Sequence, residues 1–242
     1  MTIVLSIATK KYILMSTDSA VTMDFGDSFE YKTGRKAYCF PGVGCVTTWG
    51  TRDANNIGEY LQSKNLTRKI TSVDELAELV KFYLTNIYKP HELDLDDVGY
   101  HVCGFKKSGI PCIYHVFWGF DRPRKPEQVT RNYKLMDHSS FGDNPLFLYN
   151  GRNDLAEIMI QILLSQIYNN FEIRFNLNSI TSIVSFSDFI MRFASELTPE
   201  VGPPFITHIL SQQNQVITLR NERFSPMNLE MIENELHKLD WS

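Results

Sequence analysis

The sequence predicts an α+β chain, a four-layer αββα sandwich of two antiparallel sheets lying face to face between helical layers. Three features predict it. The chain opens with paired short apolar runs, its helical periodicity is gathered in blocks rather than alternating with strands, and a late strand pair precedes one last amphipathic helix. Single strands alternating with single helices would instead have pointed to a doubly wound parallel sheet.

Each element follows from local chemistry. Thr2 to Ala8 and Tyr12 to Thr17 are rich in Ile, Val and Leu and flank Lys10-Lys11, so they read as a hairpin. After the polar stretch from Asp24 to Gly34, Lys36 to Phe40 and Val43 to Thr48 form a second strand pair around the turn residues Pro41-Gly42. Ile57, Tyr60 and Leu61 mark one helix face. Leu76, Leu79, Val80, Tyr83, Leu84 and Ile87 mark a longer one, opened by a capping box of Ser72 and Glu75. Strands resume at Tyr100 to Phe105 and Ile113 to Phe120, and the basic, proline-containing stretch Arg122 to Pro126 reads as an exposed loop. Asn153 or Asp154 would cap a third helix with Leu155, Ile158, Met159, Ile162 and Leu163 inward, and Phe186 to Leu197 reads as a fourth. Thr198-Pro199 through Pro203-Pro204 stops that helix. Phe205 to Leu210 and Val216 to Leu219 return to strand, and a final helix starts with Ser225 as cap and Pro226 first, carrying Leu229, Ile232, Leu236 and Leu239 on one face.

Composition bounds the function. At 242 residues and 43% hydrophobic content the chain can bury one large core, which predicts a single domain over residues 1–242. The net charge of −4 is spread without long single-sign runs, so nothing recruits nucleic acid or an anionic membrane. No stretch approaches the roughly 20 apolar residues of a spanning helix, and the opening residues alternate apolar and polar, unlike a signal peptide. A cytoplasmic location is expected. Cys39, Cys45, Cys103 and Cys112 form no CxxC pair and the histidines no HxxxH or HExxH pattern, so no metal or cofactor is expected and the cysteines read as buried hydrophobes.

The N-terminal third carries the chemistry. Thr2-Ile3-Val4, the strand end Ile13 to Ser19, the pair Arg35-Lys36 and the segment Thr48 to Ala54 resemble, in order and spacing, the N-terminal half of proteasome β-type subunits of the N-terminal nucleophile (Ntn) hydrolase superfamily. The bacterial Anbu and HslV peptidases are the members most similar. Tyr149-Asn150-Gly151 and Val201 to Pro204 extend the likeness more loosely.

That resemblance implies a threonine peptidase. Once Met1 is removed, the hydroxyl of Thr2 would be the nucleophile and its own α-amine, with a pKa of roughly 7.7 to 8.0, the base. Lys36 would stabilise developing negative charge, Asp18 would orient and pair with Lys36, and the Gly50 N–H would donate into an oxyanion hole worth about 3 kcal/mol. Asn150 stands where the family usually has a serine that holds the amine. The resemblance further implies a peptide or protein substrate, a homo-oligomeric ring or helical assembly, and an unfoldase as a possible partner. Ala20, Val21 and Trp49 are expected near the specificity pocket. Two other functions stay open: a catalytically silent scaffold subunit, and an amidase acting on small amides.

Overall fold

A computed structural model describes residues 3–24, 29–50, 57–88, 98–120, 131–142, 144–151, 157–158, 160–161, 179–198, 200–222 and 226–239. The chain opens with β1 (Ile3–Ala8) and β2 (Ile13–Thr17), a hairpin in which every residue of both strands is buried. A small hairpin of β3 (Ala20–Asp24) and β4 (Phe29–Thr33) follows, and then β5 (Ala37–Phe40) and β6 (Gly44–Gly50). Two helices, α1 (Ile57–Arg68) and α2 (Val73–Phe82), come next, the second running into a π-helical turn, Tyr83–Tyr88. The strands β7 (Val98–Phe105), β8 (Pro111–Phe120), β9 (Arg131–Asp137) and β10 (Leu146–Gly151) precede α3 (Ile180–Leu197). The chain then passes through β11 (Phe205–Leu210), β12 (Val216–Asn221) and α4 (Leu229–Leu236).

The fold is α+β with two five-stranded antiparallel sheets. The first has the order β10-β1-β2-β11-β12 and the second β5-β6-β7-β8-β9. Alternation along β1 explains the packing. Ile3, Leu5 and Ile7 join Phe186, Ile190 and Ile232 in a cluster under α3 and α4, whereas Ala8 joins Cys45, Cys103 and Ile113 of the second sheet. The other face of the second sheet packs Val46, Tyr100 and Val102 against Leu61, Leu76 and Val80 of α1 and α2.

Several predicted boundaries move. The stretch from Asp24 to Gly34, expected as a polar connection, contains the β3–β4 pairing, and β9 and β10 are additional strands. In β4 and β9 the strand is set by backbone pairing, with polar residues interrupting the apolar ones, whereas Leu146 to Tyr149 of β10 is an apolar run. Ser72 caps α2 as predicted, accepting the Glu75 N–H at 3.2 Å, but Glu75 reaches back to the Thr71 N–H at 3.0 Å. Helix α3 starts earlier than Phe186, with Ser179 as its cap, and α4 is capped by Asn228, so Pro226 precedes the helix; Ser225 lies outside the described residues. Most of the third predicted helix also lies outside them. Residues 157–158 and 160–161 are helical there, with Ile160 buried and Ile158 exposed, the reverse of the inward placing of Ile158. Ile87 is likewise exposed, because the π-helical turn changes the angular step that the α-helical pattern assumed. The loop from Arg122 to Pro126 is outside the described residues.

The cysteines divide into two kinds. Cys103 and Cys112 are free and buried, as expected, but Cys39 and Cys45 face each other across β5 and β6 and form a disulfide, with Cα atoms 4.1 Å apart. Among the described residues no helix is long and apolar enough to cross a membrane.

Two outcomes are expected. A methyl group at Gly99 would lie 2.0 Å from the Trp49 ring, so Gly99→Ala should destabilise by about 1–3 kcal/mol and perturb Trp49 fluorescence; an unchanged urea midpoint would contradict this packing. Thiol titration of the oxidised, denatured chain should count two thiols, rising to all four cysteines after reduction.

Candidate active site

Thr2 and Met1 lie outside the described residues, so the site is built here from what surrounds the start of β1. Asp18 follows β2 directly and is completely buried. One carboxylate oxygen accepts the Ile3 N–H at 3.1 Å. The other accepts the Ala20 N–H at 3.1 Å and the Lys36 ammonium at 2.9 Å. A single carboxylate thus ties the first described peptide of β1 to a lysine 5% exposed, which immediately precedes β5 of the other sheet.

Burial governs the electrostatics of this pair. It pushes the Asp18 carboxyl up, against the opposing pull of Lys36, and it pushes the Lys36 ammonium down, against the opposing pull of Asp18. A lysine whose charged form is disfavoured by desolvation gives and takes protons more readily than a surface lysine. The arrangement can therefore hold a cation beside the start of β1 and exchange a proton there.

Gly50 ends β6 opposite Val98, with φ of +101°, a backbone conformation that side-chain-bearing residues rarely adopt. Asn150 has a different environment. It sits opposite Val4 on β10, and its side-chain oxygen is engaged by His101 Nε2 at 2.7 Å. Since that oxygen only accepts, Nε2 carries the proton and Nδ1 is left to accept from the Ser6 hydroxyl at 2.8 Å. The structure brings Asp18 and Lys36 together and links Asn150 to β7 through His101.

His101 and Ser6 were not singled out from the sequence. Position 101 did carry a signal: a histidine flanked by Tyr100 and Val102 inside a strand that is apolar on both faces. His101 belongs to a ring cluster in which Trp49 lies 5.1 Å from His101 and 5.2 Å from His115, with His115 in turn 5.4 Å from His101. Trp49 is 7% exposed and belongs to the core in this arrangement. Among the described residues these histidines and their neighbours do not converge in a metal-holding group.

Comparison with known proteins gives a structural answer only. No family model matches the sequence, and no curated protein matches it. Solved structures do match. Anbu (ancestral beta-subunit) from Yersinia bercovieri aligns with a TM-score of 0.64 at 13% identity, over 98% of this chain and 94% of that one. An Anbu (Gly-1) mutant from Hyphomicrobium sp. strain MC1 aligns with a TM-score of 0.63 at 12% identity, over 98% and 95%. The chain of the helical Anbu assembly from Pseudomonas aeruginosa gives 0.61 and 13%, over 98% and 92%. The fold is that of the Anbu chains.

The histidines make stability depend on pH. Burial pushes His101 and His208 down to about 4 and His115 to about 2, below the 6.5 of an unfolded histidine. A base whose folded pKa is depressed contributes stability that is complete above pH 6.5 and is lost as pH falls towards the folded value. The slope is about 1.4 kcal/mol per pH unit for each histidine. Asp18, with its carboxyl pushed up, acts in the opposite sense. Urea midpoints should therefore fall from pH 7 to pH 5, and less steeply in His115→Phe; a flat profile would contradict the burial of these rings.

Proposed function

We propose that this chain is a threonine-type Ntn hydrolase that cleaves peptide bonds by acyl transfer to Thr2 after removal of Met1. The observation that carries the reading is the Asp18 carboxylate, which binds the Ile3 amide next to Thr2 and the buried Lys36 ammonium at once. The Anbu-like fold supports it, as do the two sheets with a helix-covered outer face on each, which favour the four-layer sandwich and a single domain over residues 1–242.

In this mechanism the Thr2 hydroxyl attacks the peptide carbonyl while the Thr2 α-amine takes its proton. The tetrahedral oxyanion is met by the Gly50 N–H, and Lys36 stabilises the negative charge around the threonine oxygen. The proton then passes to the leaving amine, the C–N bond breaks, and an ester remains on Thr2. Water attacks the ester and gives a proton to the α-amine, which passes it to the Thr2 oxygen as the C–O bond breaks and the acid is released. The chain would act as a homo-oligomer, in a ring or a helical array, in the cytoplasm, on peptide or protein substrates and with an unfoldase as a candidate partner. The helical assembly of the Pseudomonas aeruginosa Anbu complex supports the array.

One observation favours a second reading, a silent scaffold. Asn150, the residue standing in for an amine-holding serine, has its acceptor oxygen engaged by His101. Intact mass together with peptide hydrolysis separates the two. The hydrolase should be lighter than the encoded chain by one methionine and should lose activity by about 10³-fold or more in Thr2→Ala and in Lys36→Ala. A retained Met1, or hydrolysis indifferent to Thr2→Ala, would leave the scaffold.

A further inference from the structure

Beside the candidate site, a cleft of about 450 Å³ opens between the ends of the two sheets. The register fixes one wall. Thr17, Ile206 and Arg220 stand opposite one another across β2, β11 and β12, and His208 and Thr218 stand opposite each other one step along. The other wall is the segment from Thr33 to Ala37, which brings Arg35 and Lys36 to the same space. Three cations thus converge on one cleft from two sheets in a chain of net charge −4, and no carboxylate is among its described lining residues.

The existing partners of these cations leave donors available. Lys36 is neutralised by Asp18 from beneath. Arg35 donates Nε to the Ala37 carbonyl at 3.0 Å and lies 4.8 Å from the Tyr38 ring centroid, and among the described residues no carboxylate pairs with it. Arg220 donates Nε to Glu222 at 2.7 Å, in a pair exposed on both sides that salt screens readily. Each guanidinium has five N–H donors, so the terminal ones stay open for a planar anion. Between them His208, 8% exposed, is fixed through Nδ1 to the Thr218 hydroxyl at 2.8 Å. Convergent cations in a walled cleft focus positive potential, and two arginine forks are suited to a carboxylate.

We propose that this cleft is a carboxylate-binding subsite, held by Arg35 and Arg220, that selects peptides presenting an acidic side chain or a free C-terminal carboxylate to the Asp18–Lys36 site. The proposal takes its meaning as substrate selection from the hydrolase reading, but the binding event stands apart from catalysis. Its reporter is His208, which burial and the nearby Arg35 charge both push down, to about 4; an anion in the cleft would pull it back up.

The experiment is a titration of the Thr2→Ala protein, followed by the His208 imidazole resonance, assigned by its loss in His208→Gln. Three acetylated tetrapeptides serve as probes: one glutamate with an amidated end, the glutamine counterpart, and that glutamine peptide with a free carboxyl end. The glutamate peptide or the free-ended peptide should shift the resonance saturably, the amidated glutamine peptide should not, and Arg35→Ala or Arg220→Ala should weaken binding by about tenfold. Which probe binds tells the side-chain source from the chain-end source. Equal responses to all three, or affinity indifferent to both arginine variants, would overturn the proposal. Cleavage of neutral peptides by the wild-type chain with no anion effect would remove the subsite and leave the hydrolase. Carboxylate binding without any cleavage would do the reverse.

Discussion

The buried contact between Asp18 and Lys36 is the constraint around which the rest is arranged. Withdrawing two opposite charges from water costs several kcal/mol each, and their attraction in the interior roughly offsets this only when the remaining lone pairs are also satisfied. Here they are, because the carboxylate also accepts the N–H groups of Ile3 and Ala20. Such a pair adds little net stability, yet losing one partner leaves an uncompensated buried charge. Its effect is positional: the end of β2, the start of β1 and the approach to β5 are held at one carboxylate, and β1 and β5 belong to different sheets.

The same economy recurs deeper in the molecule. The space between the sheets is not wholly apolar, since Ser6, His101 and Asn150 form a chain across β1, β7 and β10. On the opposite face of the first sheet, Ser16 bridges Ser187 of α3 and Thr207 of β11 at 2.6 and 2.7 Å. These chains fix registers that apolar contacts alone would leave degenerate, because a slip by one residue would strand buried hydroxyls without partners. In the first chain His101 is completely buried, and that burial pushes its imidazole down, against the pull of its hydrogen bond to Asn150.

How legible this was in the sequence depended on whether a segment's role is written in its own side chains. The strands β1, β2, β6 and β7 were legible because burial on both faces demands near-continuous apolar runs, and β8 because its own residues are largely apolar. α2 was legible from its periodicity and from Ser72. The hairpin of β3 and β4 was not, since Phe-Glu-Tyr-Lys-Thr (residues 29–33) carries its strand character in backbone pairing. The register of Cys39 against Cys45 is likewise a property of pairing, invisible to spacing rules. At the site, the residue types of Asp18 and Lys36 and their places in the chain pointed to each other through the resemblance. The engagement of Asn150 could not be read, because its partner His101 is 49 positions distant and meets it only when two sheets pack.

The fold alone leaves function underdetermined, and the reason is physical. At 12–13% identity the match to the Anbu chains rests on the pattern of buried faces, which many sequences satisfy. Chemistry needs more: particular groups within hydrogen-bonding distance at particular protonation states. Of the residues described, Asp18 and Lys36 lie within hydrogen-bonding distance of each other, and Lys36 also lines a cleft with Arg35 and Arg220. A site formed where two sheets meet inherits rigidity from each and solvent access from neither face alone. Arg35 and Arg220 line the same cleft as Lys36, so their charges bear on which ligands gather beside it.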